Sequence, residues 1–463
     1  MRATPSPDTE RKQRMSLDWQ ETIAKMARTD RKVRFTTLAH HLTVETLEHA
    51  YGQLNRKAAP GPDGIEVPQY GEALDASLQD LWERLRSQKY RCSTVRRVMI
   101  PKPNGKLRPL GIANVEDRVV QTAVKLVLEP IYEQDFKSFS YGFRPGRSTK
   151  DALEDLRKTV DAGWVSVMVE ADIKGFFDNL DHGWLRKFLQ HRIADRGLLR
   201  VIGKVLNAGV LQEDGSIVRS KRGAPQGGPL SPLLANIYLH YVLDLWFPWH
   251  CRRVCRGRAR MVRYADDFVM CFEHREDAER IAHDLEERLA AFELELEASK
   301  TRLIEFGRHT DPKGRGRESG GHTFDFLGFT HYMRPRRATL RVARLPSRKS
   351  RNRFLQRMKE WLWKHMHASP WLHQRAIVRK LQGFYQYFGL RYCRPYLWAV
   401  RSEVQRLWLR VLRRRSQRGA RLSWAKVKRR PWFGLPGVRI RRTRKRRQRS
   451  REKRPAQLSL FST

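Results

Sequence analysis

The segment Met261-Val-Arg-Tyr-Ala-Asp-Asp-Phe-Val-Met-Cys-Phe272 consists of two apolar, β-prone runs on either side of Ala265-Asp-Asp267. This pattern predicts two antiparallel strands joined by a tight turn, with both aspartates at the tip of the hairpin. A third carboxylate ends the apolar run Val165-Ser-Val-Met-Val-Glu-Ala-Asp172, which predicts a buried strand. The sequence therefore places three aspartates at the ends or turns of strands.

Asp172, Asp266 and Asp267 have the chemistry needed to hold metal ions during phosphoryl transfer. That reaction uses two ions about 3.5 to 4 Å apart, one activating the attacking hydroxyl and one holding the leaving phosphates. Mg²⁺ prefers a few carboxylates completed by substrate phosphates and water. A single aspartate at a strand end is more often a turn or cap residue, so the expectation of two Mg²⁺ ions depends on all three.

Strand and helix patterns alternate on both sides of the hairpin, which predicts an α+β body. Residues 95–100 and the segment after Asn104-Gly105 predict a hairpin that carries Lys102, Lys106 and Arg108. Helices are predicted at 115–133, 149–161 and 276–297. After a short strand at 324–330 we expect only helices, over 347–367, 371–389 and 395–415.

The formal net charge of +44 indicates a polyanionic partner, because basic side chains that neutralise phosphates release counterions. Residues 331–463 hold 40 Lys and Arg against 3 Asp and Glu. An anionic membrane would attract the same charge, but the interleaved aromatic residues favour nucleic acid. The like-charge run at 439–454 is expected to be disordered until it meets phosphate.

The length of 463 residues accommodates two or three domains. No run reaches the roughly 18 apolar residues of a membrane span and the N-terminus lacks an apolar signal segment, so we expect a cytoplasmic protein without membrane contact. The five cysteines are scattered and odd in number, which argues against a disulfide framework. Cys251 and Cys255 form a lone C-x3-C pair that is more typical of ordinary thiols than of a zinc site.

The ordered motifs of residues 40–430 resemble those of reverse transcriptases, and of the proteins encoded by bacterial group II introns in particular. Besides Tyr264-Ala-Asp-Asp267, the resemblance rests on Glu170-Ala-Asp-Ile-Lys-Gly-Phe-Phe-Asp-Asn179, Gly223-Ala-Pro-Gln-Gly-Gly-Pro-Leu-Ser-Pro-Leu-Leu-Ala-Asn236, Lys57-Ala-Ala-Pro-Gly-Pro-Asp-Gly64, Ser140-Tyr-Gly-Phe-Arg-Pro-Gly-Arg-Ser148 and residues 100–112, 296–302 and 324–329. It implies an RNA-directed DNA polymerase with a right-hand architecture. Its substrates would be dNTPs and an RNA/DNA template-primer.

The resemblance also implies roles for single residues. Asp172 and Asp266 would be the main metal ligands, with Asp267 beside them at the primer end. Phe177 would lie under the incoming sugar and exclude a 2′-hydroxyl. Further implied residues are Lys102 or Lys106 and Arg108 for the triphosphate, Gln226 near the nascent base pair, and Lys300 as a general acid toward pyrophosphate.

The implied organisation is an N-terminal extension (1–39), fingers (40–164), a palm with the catalytic carboxylates (165–330), a helical thumb or maturase domain (331–430) and a basic tail (431–463). The thumb would grip structured RNA, such as the intron's own transcript. The residues expected to bind nucleic acid there are Arg348, Lys349, Arg351, Arg413, Arg414 and Arg415.

Many members of this family continue into an endonuclease with His and Cys metal ligands. Here no Cys follows Cys393 and no His follows His373, so we expect no such domain. Two alternatives to an intron-encoded splicing and mobility protein stay open at this stage. One is a reverse transcriptase recruited to antiviral defence or repair, and the other is a non-catalytic RNA-binding splicing factor, which the three retained carboxylates disfavour.

Overall fold

The structure, a computed structural model, describes residues 18–101, 107–212, 214–219, 222–224, 227–299, 301–307, 322–336, 339–438 and 440. The chain divides into two compact units. Unit 1 comprises Met1–Leu327 and His331–Val342, and unit 2 comprises Gly328–Thr330 and Ala343–Thr463.

Unit 1 contains most of the helices and all of the carboxylates singled out above. Its α-helices are α1 (Asp18–Thr29), α2 (Val44–Gly52), α3 (Val67–Tyr70), α4 (Leu74–Arg86), α5 (Val115–Asp135), α6 (Thr149–Asp161), α7 (Phe176–Asn179), α8 (His182–Gln190), α9 (Arg196–Leu206), α10 (Ser231–Leu239), α11 (Trp246–Val254) and α12 (Arg275–Ala290). A π-helical turn, His240–Asp244, links α10 to α11.

The strands form three sheets in the described part of the chain. They are β1 (Val95–Pro101), β2 (Leu107–Ile112), β3 (Val167–Ala171), β4 (Val210–Leu211), β5 (Ile217–Val218), β6 (Ala259–Tyr264), β7 (Asp267–Phe272), β8 (Arg302–Glu305), β9 (Thr323–Phe326), β10 (Phe329–Arg336) and β11 (Thr339–Pro346). The sheet orders are β2-β1-β4-β5, β6-β7-β3-β8 and β11-β10-β9.

The sheet β6-β7-β3-β8 carries the candidate site and is covered by α6, α11 and α12. Coverage on more than one side explains why β7 is an apolar run without alternation, with Phe268 through Phe272 all buried. The helices around it begin at side chains that satisfy free backbone N–H groups. Ser148 and Asp151 form a reciprocal capping box at α6, and Asp181 and Asp195 cap α8 and α9.

Helix α5 lies in the middle of the core of unit 1. Fourteen of its residues are buried, on all sides of the helix, and it packs against α1, α2, α9 and α10. The predicted helices at 115–133 and 149–161 are confirmed by α5 and α6. No helix in the described ranges is both long and apolar enough to cross a bilayer.

Two predictions about secondary structure are wrong. The helix expected at 276–297 ends at Ala290, because Glu293 adopts a left-handed backbone (φ 59°) and Leu296 pairs with Ile173 as an isolated β-bridge. Residues beyond 330 are not all helical either, since β10 and β11 extend to Pro346. The many arginines in this segment obscure the alternation of apolar and polar residues that would indicate a strand.

The helices of unit 2 match the three that the sequence predicts. They are α13 (Arg348–Lys364), α14 (Pro370–Phe388) and α15 (Arg394–Arg414), followed by the short α16 (Gln417–Ala420) and α17 (Trp424–Lys428). Trp408 is fully buried, and its indole N–H donates to Nδ1 of His373 at 3.1 Å. His373 Nε2 lies 2.8 Å from the His365 carbonyl, so the neutral Nε2–H tautomer satisfies both contacts. Burial lowers the pKa of His373, in agreement with this neutral form.

Candidate active site

The three aspartates meet at one end of the sheet that β3 and β7 share. The two strands are antiparallel, and Ala171 is the register partner of Phe268. Asp172 directly follows Ala171, while Asp267 directly precedes Phe268, so the two carboxylates project from neighbouring strand ends. Asp172 and Asp266 are partly buried and Asp267 is exposed. The backbone geometry therefore puts Asp172 beside Asp267 and next to the turn that contains Asp266.

Asp266 lies in the two-residue turn of the β6–β7 hairpin. Tyr264 pairs with Asp267, which leaves Ala265 and Asp266 at the tip. Ala265 has φ 57°, a left-handed conformation that costs a residue with a Cβ about 1 kcal/mol or more. The Ala265 carbonyl accepts a hydrogen bond of 2.9 Å from Nη1 of Arg263, which holds the turn in this conformation.

Arg263 makes this contact from inside the protein, where its side chain has no exposed surface. Its guanidinium forms two hydrogen bonds to the carboxylate of Asp244, which is also fully buried, and Nη1 donates to the Asn236 side-chain oxygen at 3.0 Å. Asp244 is the last residue of the π-helical turn. The hydrogen bonds of a π-helix span five residues where those of an α-helix span four, and the carboxylate at the end of this turn lies opposite Arg263.

His240, at the start of the same π-helical turn, completes the buried polar group. Its Nδ1 is 3.9 Å from Oδ2 of Asp244, and the side chain is 4% exposed. Burial is the main reason that the pKa of His240 falls to about 4, with further lowering by Arg263, Lys137 and Arg144. His240 is therefore neutral at pH 7, and Arg263 and Asp244 form a pair with no net charge.

Residues 139–142 lie beside β6 and support the turn from the other side. Arg263 N–H donates to the Phe139 carbonyl at 2.9 Å, and Tyr141 N–H donates to the Arg263 carbonyl at 2.9 Å. Asn236 Nδ2 donates to the Gly142 carbonyl at 2.7 Å. A Cβ on Gly142 would lie 2.3 Å from the backbone nitrogen of Ala265, so only glycine permits this approach.

The backbone around Asp172 is fixed by the segment that follows α12. Glu297 N–H donates to the Asp172 carbonyl at 2.8 Å, and Ile173 bridges Leu296. These contacts extend the pairing of β3 with β8 past the end of the strand. Lys300, the expected general acid, comes three residues later and lies outside the described residues.

Phe177 lies on α7, five residues after Asp172, and lines a cavity of about 240 Å³. Leu110 and Gly111 of β2 and Gly223 and Ala224 line the same cavity. Ala224 N–H donates to the Phe177 carbonyl at 2.8 Å, which attaches the Gly-Ala-Pro-Gln-Gly segment to α7. Gly227 approaches β2 so closely that a Cβ would lie 3.0 Å from the Gly111 carbonyl oxygen.

The structure describes only some of the other residues that the sequence singled out. Lys102, Lys106 and Gln226 lie outside the described ranges, and Arg108 is described as backbone in β2, paired with Ile100. The six basic residues expected to bind nucleic acid belong to unit 2. Arg348 and Lys349 are exposed, whereas Arg351 forms an ion pair with Glu403 at 2.6 Å.

Sequence reasoning missed the residues that position the turn, namely Arg263, Asp244, Asn236 and Gly142. One signal was available, because an arginine inside the apolar run Met261-Val-Arg-Tyr264 must either leave the core or find a carboxylate. Its partner is distant in sequence and lies in a π-helical turn, a feature that helical periodicity does not reveal.

The described residues hold no group of three His, Cys, Asp or Glu side chains already arranged around an ion position. Asp172 and Asp266 nevertheless fit Mg²⁺ in chemistry, since both are partly exposed carboxylates, one at the end of β3 and one in the β6–β7 turn. Mg²⁺ keeps waters and takes substrate phosphates as ligands, and a site of this kind is completed only when the substrate binds.

Comparison with known proteins adds independent information. Residues 100–331 match the family described as "Reverse transcriptase (RNA-dependent DNA polymerase)". The protein YkfC of Escherichia coli (strain K12) is 37% identical over 290 residues, which are 55% of this chain and 74% of YkfC. The group II intron-encoded protein LtrA of Lactococcus lactis subsp. cremoris is 37% identical over 231 residues, 49% of this chain.

A more distant match is the Nuclear intron maturase 3, mitochondrial, of Arabidopsis thaliana, which is 30% identical over 131 residues. That match covers 28% of this chain and 18% of the maturase. The chain likewise spans only 38% of the length of LtrA.

The buried ion pair yields a prediction about stability. Arg263→Met leaves the Asp244 carboxylate buried without a partner, and we expect the free energy of unfolding to fall by about 3 to 5 kcal/mol. Arg263→Met combined with Asp244→Leu removes both charges and should regain most of that loss. Urea unfolding followed by circular dichroism measures both.

The matched control is Arg260→Met, on the same strand. Arg260 is 47% exposed and pairs with Asp155 at 2.7 Å, so its loss should cost no more than about 1 kcal/mol. An equal cost for Arg260→Met and Arg263→Met, or a double variant as unstable as the single one, would contradict the importance of the buried pair.

Proposed function

Because the chain belongs to the reverse transcriptase family, in its group II intron-encoded branch, we propose that it copies RNA into DNA with two Mg²⁺ ions and serves its intron RNA as a maturase. The observation that best supports polymerase activity is the register of β3 and β7. This register brings Asp172 beside Asp267 and the turn containing Asp266. Three carboxylates on fixed backbone are what two-metal nucleotidyl transfer requires.

Asp172 and Asp266 would hold the ions, and Asp267 would lie beside them at the primer end. When bound, the two ions would activate the primer 3′-hydroxyl and neutralise the leaving pyrophosphate. The Arg263 contact to the Ala265 carbonyl holds the backbone next to Asp266 before substrate arrives. Positioning of this kind lowers the reorganisation that the reaction would otherwise require.

The remaining assignments extend the same proposal. Lys102, or Lys106 in its place, and Arg108 would bind the triphosphate, Gln226 would contact the nascent base pair, and Lys300 would donate a proton to pyrophosphate. Residues 40–164, 165–330 and 331–430 would be the fingers, palm and thumb, with 1–39 and 431–463 as terminal extensions. We place the protein in the cytoplasm, where intron transcripts are made.

Binding of structured RNA is supported by the beginning of α13. Arg348 and Lys349 are exposed in the first turn of this helix, which holds no acidic residue. Cations are unfavourable there because the helix N-terminus already carries partial positive charge, and a bound phosphate would remove that cost.

The other predicted RNA contacts are Arg351, Arg413, Arg414 and Arg415. Three of these arginines also have contacts within unit 2, Arg351 to Glu403, Arg413 to the Leu422 carbonyl and Arg415 to the His367 carbonyl.

Asp266→Asn tests the catalytic carboxylate with almost no change in shape. Because the amide cannot carry the negative charge that Mg²⁺ requires, we expect primer extension on an RNA template with dNTPs and Mg²⁺ to slow by about 1,000-fold or more, roughly 4 kcal/mol of barrier. Glu279→Gln, which removes an exposed carboxylate on α12, is the control and should extend normally. An Asp266→Asn protein that extends primers at the wild-type rate would refute the metal site.

Phe177→Ala tests sugar selection. Removing the ring opens the space that a 2′-hydroxyl would occupy, and we expect the rate of rNTP relative to dNTP incorporation to rise about tenfold or more. Phe177→Tyr keeps a ring of the same breadth and should retain the preference for dNTPs. Single-nucleotide incorporation kinetics with dNTP and rNTP give the ratio, and an unchanged ratio in Phe177→Ala would exclude the gate.

Arg348→Gln combined with Lys349→Gln tests the RNA contact of unit 2. If each side chain neutralises one phosphate, the slope of log Kd against log salt concentration should decrease by about 1.4 to 1.8 for the pair. Arg275→Gln, which removes an exposed arginine paired with Glu279 and Glu305 in unit 1, should leave the slope unchanged. Filter binding of a structured intron RNA across a salt series measures it, and a wild-type slope in the double variant would reject this contact.

A further inference from the structure

Phe143 combines two unfavourable features at one position. Its backbone has φ 56°, in the left-handed region that bulky side chains rarely adopt. Its side chain is 55% exposed, although a phenylalanine is normally stabilised by burial. Neither feature contributes to folding, and strained residues of this kind concentrate at sites that bind or react.

The neighbours of Phe143 hold it in this conformation. On one side, the Gly142 backbone packs against Ala265 and its carbonyl accepts from Asn236 at 2.7 Å. On the other side, the buried guanidinium of Arg144 binds Glu133 and donates to the carbonyls of Lys137 and Ser140, each at 2.8 Å. The backbone is therefore fixed on both sides, and the ring is displayed as a consequence.

The ring is displayed beside the catalytic turn. Its one aromatic neighbour among the described residues is Tyr264, with ring centroids 6.5 Å apart and planes tilted by 44°. Tyr264 immediately precedes Ala265-Asp266. Phe143 is 55% exposed despite this contact, so much of the ring is open to solvent next to the turn.

Cations close in sequence to Phe143 are already engaged by the protein. Arg144 is bound to Glu133, and Arg147 lies over the Tyr141 ring at 5.2 Å while donating to the Ser138 carbonyl. The exposed group at this point is therefore an apolar ring, which suits the face of a nucleobase better than a phosphate.

We propose that Phe143 is a stacking platform for a nucleobase at the end of the template-primer duplex, next to the catalytic turn. This inference rests on the proposed polymerase function, and it adds a base contact that the carboxylates and Phe177 do not provide. A ring held in place before binding loses little conformational freedom on contact, so the backbone strain that displays it is repaid when the duplex binds.

The test compares Phe143→Ala, Phe143→Gly and Phe143→Tyr. Alanine and glycine both remove the ring, but only glycine tolerates φ 56° without strain. We expect both to raise the Kd for an RNA template annealed to a DNA primer by about tenfold, within the range of one base stack. Phe143→Tyr should bind like the wild type. Fluorescence anisotropy without dNTPs or turnover gives these values.

Two further readouts separate stacking from other roles. The salt dependence of Kd should be the same in all four proteins, because no phosphate contact changes. The melting temperature of Phe143→Gly should exceed that of Phe143→Ala by about 2 °C, because glycine relieves the strain. A ring with a merely structural role would instead lower the melting temperature of both Phe143→Ala and Phe143→Gly well below that of the wild type and leave the Kd of the folded proteins unchanged.

Duplexes with an abasic site identify which of the two strands the Phe143 ring stacks on. The difference in Kd between wild type and Phe143→Ala should disappear with an abasic primer end if the ring stacks on the primer, or with an abasic template position if it stacks on the template. A difference that persists with both duplexes, a Kd unchanged in Phe143→Ala, or a Kd restored in Phe143→Gly would overturn the proposal. Failure of the wild type to extend primers would count against the polymerase function alone, because binding is measured without turnover.

Discussion

A full positive charge in the interior constrains the segments packed around the β6–β7 hairpin. Burying an ion costs several kcal/mol even after relaxation, and only a well-placed counter-ion with further hydrogen bonds offsets it. Arg263 meets this requirement with Asp244 and Asn236, both from the helical segment 231–244. The helix must therefore pack behind β6, and its last turn must be π-helical to present Asp244. The hairpin, the helix and the turn are specified together by this pair.

The same network explains how two left-handed residues persist side by side. Ala265 and Phe143 each have φ near 57°, and neither is glycine. Ala265 is held through its carbonyl by Arg263, and Phe143 through the Gly142 carbonyl by Asn236, which itself contacts Arg263. One buried cluster thus stabilises two strained positions at the edge of the site. The local conformational preferences of alanine and phenylalanine disfavour a positive φ. The backbone geometry of Ala265 and Phe143 is therefore imposed by tertiary contacts.

The hairpin, β3 and the helices α5, α6, α13, α14 and α15 could be predicted from the sequence, because apolar periodicity and strand composition express them directly. The end of α12 could not be predicted, because nothing in the side chain of Glu293 indicates its left-handed backbone conformation. Strands β10 and β11 were missed since the arginine-rich sequence hides their alternation. The three aspartates could be placed at strand ends, but Arg263 and Asp244 could not be paired, because that contact depends on packing between distant segments.

The pairing of Arg263 also bears on the electrostatics of the proposed metal site. An unpaired cation in hydrogen-bond contact with the Ala265 carbonyl, next to Asp266, would repel Mg²⁺ through a medium of low dielectric constant, where charges interact strongly. Asp244 cancels that charge, and the lowered pKa of His240 keeps a second cation from forming beside it. The backbone next to Asp266 is therefore held by an arginine whose charge is already neutralised. The excess positive charge of the protein lies instead in residues 331–463, with 40 Lys and Arg against 3 Asp and Glu.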